Sequence, residues 1–526
     1  MAPTFCNRCG DVVEERCDVW DELAELDALL ERLRLKRYDL KRKINRVHSP
    51  IVRLLPPDVT STIFEFCLPD FSDHHISPYT GTIYEEDLFI PLSLGAICSY
   101  WREIAWSTPT LWSTLVVYFK SKFKHNSHMS TGIAQEWLAC SGQLPLSIRI
   151  VAKPSCHRAV SALADIINQY SSRWSDLDLY MPQQYYQYFR ATAPILKSIT
   201  FHASDNSEMD LNLQLTCPRL ERAILSSFPV DGTNIQWDNL TYLTLLSMPS
   251  IIDSFLILRK TPRLVFCRVS GSCSYRRGPI VGAPLVLTSL RSLELIMDFA
   301  DTTYSEDFLN NLIAPHLEAF SSMFYNPPME VIVSFFNRSA CSLRSFSMTF
   351  TIYFSPYFER FMSLLQLMPS LNTLSIGTVN ITPEDYHPRN ILQLVAKVLS
   401  SQSASLQQGF LPNLKILEYT GLLHLHPENY GDLYPLPPAD NAIHGPLHLL
   451  TLDLYPATRI PENLISYLSS LVERGVTVDV FSESEDILQS SIDYYRWRKD
   501  SLSRDWSDNL NSSLFLDFCG VSHIEK

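Results

Sequence analysis

Glycine is scarce in this chain, 16 residues in 526. No Gly-rich segment leads into the Lys of a phosphate-binding loop, and neither a G-x-S-x-G elbow nor an H-E-x-x-H helix occurs. Without these signatures nothing marks a nucleophile, a phosphate cradle or a zinc hydrolase, so an enzyme is not expected. No uninterrupted run of about 18 apolar residues offers a membrane span. The opening segment MAPTFCNRCGDVVEER lacks the apolar stretch that a secretion signal needs. Positive charge is in deficit, with Lys plus Arg at 43 against 56 for Asp plus Glu and a net charge of −13. That balance speaks against a protein that binds nucleic acid over its whole surface. The 12 cysteines are scattered, as expected of free thiols in a reducing compartment. These absences predict a cytoplasmic or nuclear protein with no catalytic residues, no cofactor, no nucleic-acid partner and no membrane partner.

What is present is apolar. Hydrophobic residues make up 46% and charged residues 19%, enough for a large core spread over several domains or a long array. Proline, at 33, supplies frequent element stops. Near the start, Cys6 and Cys9 form a CxxC with Cys17 following and His48 as the only nearby addition. A structural zinc site needs four ligands in tetrahedral reach, so a tail with free thiols and no metal is the expectation over residues 1–18. His74 and His75 beside Asp73 are likewise too few to hold a metal.

Leu23, Leu26, Leu30, Leu33, Arg37, Leu40, Ile44 and Val47 alternate steps of three and four, with one charged interruption. That 3.5-residue period predicts a coiled-coil helix over 19–48, suited to weak self-association or to folding back on the segment that follows. Its basic flank, from Arg32 to Arg46, reads as a solvated face. Ser49-Pro50 ends it.

Residues 51–70 begin a helix at Pro56-Pro57, where the missing proline N–H would be unbonded in any case. Val59, Ile63 and Phe66 share one face of it, with Phe64 beside them. A polar loop covers 71–90. A second amphipathic helix over PLSLGAICSYWREIAW places Leu94, Ile97, Trp101, Ile104 and Ala105 on its apolar side. Ser107-Thr108-Pro109 stops it, and Leu111-Trp112 opens a short element.

In order, the elements are Leu55-Pro56, Ile63-Phe64, Ile97-Cys98 with Trp101-Arg102, and Leu111-Trp112. This series resembles the F-box, a small three-helix module, and most resembles the F-box proteins of mushroom-type fungi. There a heptad helix runs into a leucine-proline-proline start and an ST-P-x-LW ending closes the box. The loop at 71–90 is an insertion of about twenty residues, which costs little if it stays on the surface. The resemblance implies binding to a Skp-type adaptor and, through it, a cullin. It assigns adaptor contact or support to Leu54, Leu55, Pro56, Pro57, Ile63, Phe64, Leu94, Ile97, Cys98, Trp101 and Trp112. For Trp101 and Ile104 the core of the module is the stronger reading; for Leu55, Pro56 and Ile63 it is contact.

Beyond a linker at 119–145 a phrase recurs, leucine-x-x-apolar-x-apolar. It starts at Leu196, Leu220, Leu240, Leu264, Leu290, Leu343, Leu371, Leu414 and Leu449, with a degraded copy at Leu317. From 196 to 371 the steps are 24, 20, 24, 26, 27, 26 and 28 residues, the range of leucine-rich repeats. Five phrases are introduced by x-Pro-x-Leu, at 217, 261, 314, 368 and 411, and helical runs precede several. The expected fold is α/β: an N-terminal helix and an F-box at 50–118, then an irregular leucine-rich-repeat solenoid over 146–482 and a tail at 483–526. Such a solenoid lines a concave face with strands, where a target protein would sit. The expected function is the substrate-recognition subunit of an SCF-type cullin-RING ubiquitin ligase. The alternative is a non-degradative interaction scaffold.

Overall fold

A computed structural model of the chain describes residues 18–48, 54–69, 89–119, 131–204, 213–229, 233–248, 250–271, 282–297, 303–350, 357–378, 410–421, 447–454, 460, 462–473, 475–482 and 485–503. Cys6, Cys9 and Cys17, the inserted loop up to residue 88, and the middle of the 119–145 linker lie outside the described residues. So do the long insertions after the strand at 373–378. The protein is mixed α/β and divides into two compact units, residues 1–221 with 231–236, and residues 222–230 with 237–526.

The first unit opens with helix α1 (Asp18–His48), then α2 (Pro57–Phe66), α3 (Ile90–Ile97) and α4 (Ser99–Ser107). Pro56 is extended and precedes α2; its carbonyl accepts both the backbone N–H and the hydroxyl of Thr60. The expected single helix from Pro91 to Trp106 is instead two, because Cys98 is extended at φ −156° and ψ 167°. Neither Pro nor Gly sits at the break. The Cys98 sulfur accepts the Trp101 N–H at 3.4 Å as a cap for α4, and Arg102 Nε donates to the Gly95 carbonyl of α3 at 2.9 Å. The groups a continuous turn would have bonded are thereby satisfied by side chains.

Strands follow: β1 (Thr114–Phe119), β2 (Leu146–Ala152), β3 (Trp174–Met181), β4 (Arg190–Thr192), β5 (Ser198–Ala203) and β6 (Gln214–Thr216). β1, β2, β3 and β5 pair in that order, all parallel, while β4 and β6 form a separate parallel pair. Parallel neighbours need crossover connections, supplied here by α5 (Thr131–Cys140) and α6 (His157–Asn168). α6 buries Val160, Leu163, Ala164 and Ile167, one stripe at helical spacing.

The second unit repeats one pattern. Its strands β7 (Arg222–Ser226), β8 (Tyr242–Leu246) and β9 (Phe266–Ser270) are followed by β10 (Leu285–Val286), β11 (Ser292–Met297), β12 (Leu312–Ile313) and β13 (Ala319–Phe324). β14 (Ser345–Phe350), β15 (Thr373–Thr378), β16 (Ile416–Gly421), β17 (Leu449–Leu454), β18 (Thr477–Ser482) and β19 (Glu485–Asp486) complete them. Apart from the β10–β12 pair, each pairs with the next in parallel, and only β19 is antiparallel. Helices α7 (Ile251–Arg259), α8 (Thr303–Asn310), α9 (Met329–Ser339), α10 (Phe358–Leu365), α11 (Glu462–Glu473) and α12 (Ile487–Ser503) lie between or after them.

The leucine phrase explains the strands. Leu196, Leu220, Leu240, Leu264, Leu290, Leu317, Leu343, Leu371 and Leu414 each stand two residues before a strand, and each is at most 2% exposed. The two apolar positions after each leucine alternate inward along the strand, as a period of two requires. In the five x-Pro-x-Leu segments the leucine N–H donates to the carbonyl three residues back at 3.2–3.3 Å. Proline thus takes the second place of a tight turn, where its fixed φ fits. Two sequence expectations shift. The pairing of Leu449 with Ile416 moves the last phrase to Leu447-x-x-Leu450-x-Leu452. Strands β1 and β3 carry the same phrase with tryptophan in the leading place, Trp112-x-x-Leu115-x-Val117 and Trp174-x-x-Leu177-x-Leu179.

Candidate protein-interaction surfaces

Helices α2 to α4 sort their apolar residues into two groups. Phe64, Ile104, Ala105, Leu111 and Trp112 are all 5% exposed or less. The Phe64 ring lies 4.9 Å from that of Trp101. Trp112 is held between Trp106 and Trp137 at 5.0 and 4.9 Å, and its Nε1 donates to the Ala105 carbonyl at 2.7 Å. Indole rings meeting edge to face with the N–H bonded make a rigid centre.

The second group faces outward. Leu54 is 74% exposed, Val59 41%, Ile63 42%, Phe66 86% and Ile97 60%. On α2, Val59, Ile63 and Phe66 are separated by four and three residues and so share a stripe, while Thr60 and Phe64 occupy the buried side. Free helices this small leave apolar faces uncovered because they cannot enclose them. Of the residues that sequence assigns to adaptor contact or support, Leu54, Pro56, Pro57, Ile63 and Ile97 are exposed. Leu55, Cys98 and Trp101 are half-buried, and Phe64, Leu94 and Trp112 are buried. Val59 and Phe66 lie outside that set yet share its exposed stripe; their spacing from Ile63 is the signal that places them there.

In the second unit, one face of the sheet is filled by the leucine phrases and the other is open. Along β11, β13 and β14 every second residue is buried and its neighbours are half-buried. The register aligns Ser321, Ser347 and Ser375 in one row of the open face, with Ser345 and Thr373 paired beside them. To one side, Tyr242 and Phe266 stack at 4.4 Å and the Arg222 guanidinium sits 4.3 Å over the Tyr242 ring. Arg268 pairs with Glu294 on the neighbouring strand. To the other side the serine row continues through Glu418 and Thr451 to Asp479, and Asp453 stands in the next row of the same face. A hydroxyl-rich centre between an aromatic–cationic end and an acidic end suits contact with a polypeptide more than enclosure of a small molecule.

The corresponding face of the first unit is closed and polar. Arg149 on β2 and Asp178 on β3 are register partners, joined from Nε at 3.1 Å and Nη2 at 2.9 Å with both side chains buried. Burial pushes the Tyr180 phenol up to about 12, and Asp178 adds to the effect. Burial also holds the His202 imidazole below its ordinary pKa. Buried thiols at Cys217 and Cys267 are pushed up to about 12, so neither is a thiolate nucleophile at neutral pH. Among the described residues no three His, Cys, Asp or Glu side chains gather in a way that could hold a metal ion. Among them also, no helix is long and apolar enough to cross a membrane. Comparison with family models and with curated proteins finds no match to this chain.

Proposed function

We propose that this chain is the substrate-recognition subunit of an SCF-type cullin-RING ubiquitin ligase, with residues 50–118 acting as an F-box. The observation that carries the reading is the outward apolar stripe Leu54, Val59, Ile63, Phe66 and Ile97 on helices whose own core is already filled. Such a stripe is what a Skp-type adaptor would cover, and it contains Ile63 and Ile97, two of the residues on which the sequence resemblance rests. Phe64, Leu94 and Trp112 then act by fixing α2 to α4 rather than by touching the adaptor. The parallel strands, one per leucine phrase, support reading residues 146–482 as an irregular leucine-rich-repeat array. Its open face would hold the target protein, which the half-buried hydroxyl, aromatic and acidic side chains along it would recognise.

The test is co-purification of the Skp adaptor and cullin with the intact chain, repeated with Pro56→Ala combined with Ile63→Ala. Both proteins should follow the wild-type chain, and the double variant should lose them while its circular dichroism is unchanged. Adaptor retained by the folded double variant would overturn the interface. An adaptor without cullin would favour a non-degradative scaffold instead.

A further inference from the structure

Helix α1 is 31 residues long, about 46 Å at 1.5 Å per residue, and every side chain described along it is exposed. Its seam leucines are uncovered: Leu23 is 46% exposed, Leu26 55%, Leu30 51%, Leu33 53% and Leu40 51%. Ile44 and Val47 continue the row at 55% and 56%. A lone helix with such a stripe gains little from its own hydrogen bonds and most from packing against another helix. Among the described residues, Arg42 ties α1 to its own unit, reaching the Ser99 hydroxyl at 3.0 Å and Glu103 at 3.6 Å. With Leu23 at heptad position a, Arg42 falls at f, on the side away from the seam. The tie to the rest of the unit therefore leaves the apolar seam facing outward.

We propose that this seam is covered by α1 of a second copy of the chain, running antiparallel. Charge gives the direction. Residues 18–31 carry six acidic side chains and no basic one, whereas residues 32–48 carry eight basic and one acidic. Head-to-tail pairing lays each acidic half on the other's basic half. The seam closes in the same arrangement: Leu23 meets Val47 of the second copy, Leu26 meets Ile44, Leu30 meets Leu40, and Leu33 meets Arg37. Every one of these pairs joins an a position to a d position. At the flank, Glu22 meets Lys43 of the second copy, both at position g, and one like-charged pair remains, Arg34 with Lys41. Parallel pairing is worse on each count. It would press Arg37 against Arg37 within the seam and set Glu22 against Asp27 and Lys36 against Lys41.

This inference is independent of the ligase reading, since it uses only α1. Sedimentation of the intact chain through the micromolar range tests it. A reversible dimer is expected, and Leu30→Asp should abolish it while leaving the circular dichroism of the sheets intact. Glu22→Lys alone and Lys43→Glu alone should each weaken the dimer about tenfold, since each turns two attractive pairs into repulsive ones. The combined Glu22→Lys and Lys43→Glu variant should recover wild-type affinity. A monomer throughout the range, or a dimer indifferent to Leu30→Asp, would overturn the proposal. So would tighter association by Glu22→Lys, which is the parallel outcome because it relieves the Glu22–Asp27 repulsion.

Discussion

Ser322 occupies the place in β13 that Leu295, Met348 and Ile376 fill in the neighbouring strands. It is 2% exposed, and its hydroxyl finds no hydrogen-bond partner among the described residues. A buried unmatched hydroxyl is destabilising, so Ser322→Ala should raise unfolding stability by about 1 kcal/mol, read from the urea midpoint at unchanged slope. The Arg149–Asp178 pair behaves in the opposite way. Asp178→Ala removes the carboxylate that faces a buried guanidinium and should cost about 3 kcal/mol, whereas Arg149→Met with Asp178→Leu should recover most of it. His202 adds a pH dependence whose sign is fixed by burial. Its folded pKa lies below its unfolded one, so the unfolded chain takes up a proton that the folded chain resists. The stability it contributes is present above about pH 6.5 and is lost as the pH falls below that value. Urea midpoints measured from neutral pH downward should fall less steeply for His202→Phe than for the wild type.

At the scale of elements, α9 ends on Ala340 in the left-handed region, φ 47°, with its N–H bonded to the Phe336 carbonyl at 2.9 Å. Glycine is the residue that adopts this cap without Cβ strain. Ala340→Gly should therefore stabilise the chain by about 1 kcal/mol, measured by thermal unfolding. Elements also show what the sequence could disclose. The strands from β5 to β17 that carry the phrase were legible because burial forces leucine and two alternating apolar residues into fixed places after each turn. β1 and β3 escaped because Trp112 and Trp174 fill the leucine's place, so a pattern written in leucine passes over them. The break between α3 and α4 was hidden because a cysteine sulfur and an arginine side chain cap it, without the proline or glycine that usually signals a stop. The candidate contact residues were legible as apolar, but apolarity alone does not separate Phe64, which faces the core, from Ile63 beside it. Helical phase does, and it brings in Val59 and Phe66.

Taken as a whole, the molecule has two units that offer different surfaces, an apolar helix face in the first and an open hydroxyl-rich sheet face in the second. The buried thiols of Cys217 and Cys267 are held protonated at neutral pH. The proposed ligase role requires the first surface to be an adaptor site. Calorimetric titration of the purified Skp adaptor into the intact chain tests it most directly, comparing wild type with Ile63→Asp. Val286→Asp serves as control, since Val286 is 49% exposed and belongs to β10 of the second unit. A one-to-one complex is predicted, weakened about 30-fold or more by Ile63→Asp and unchanged by Val286→Asp. No binding by the wild-type chain, or equal binding by Ile63→Asp, would contradict it.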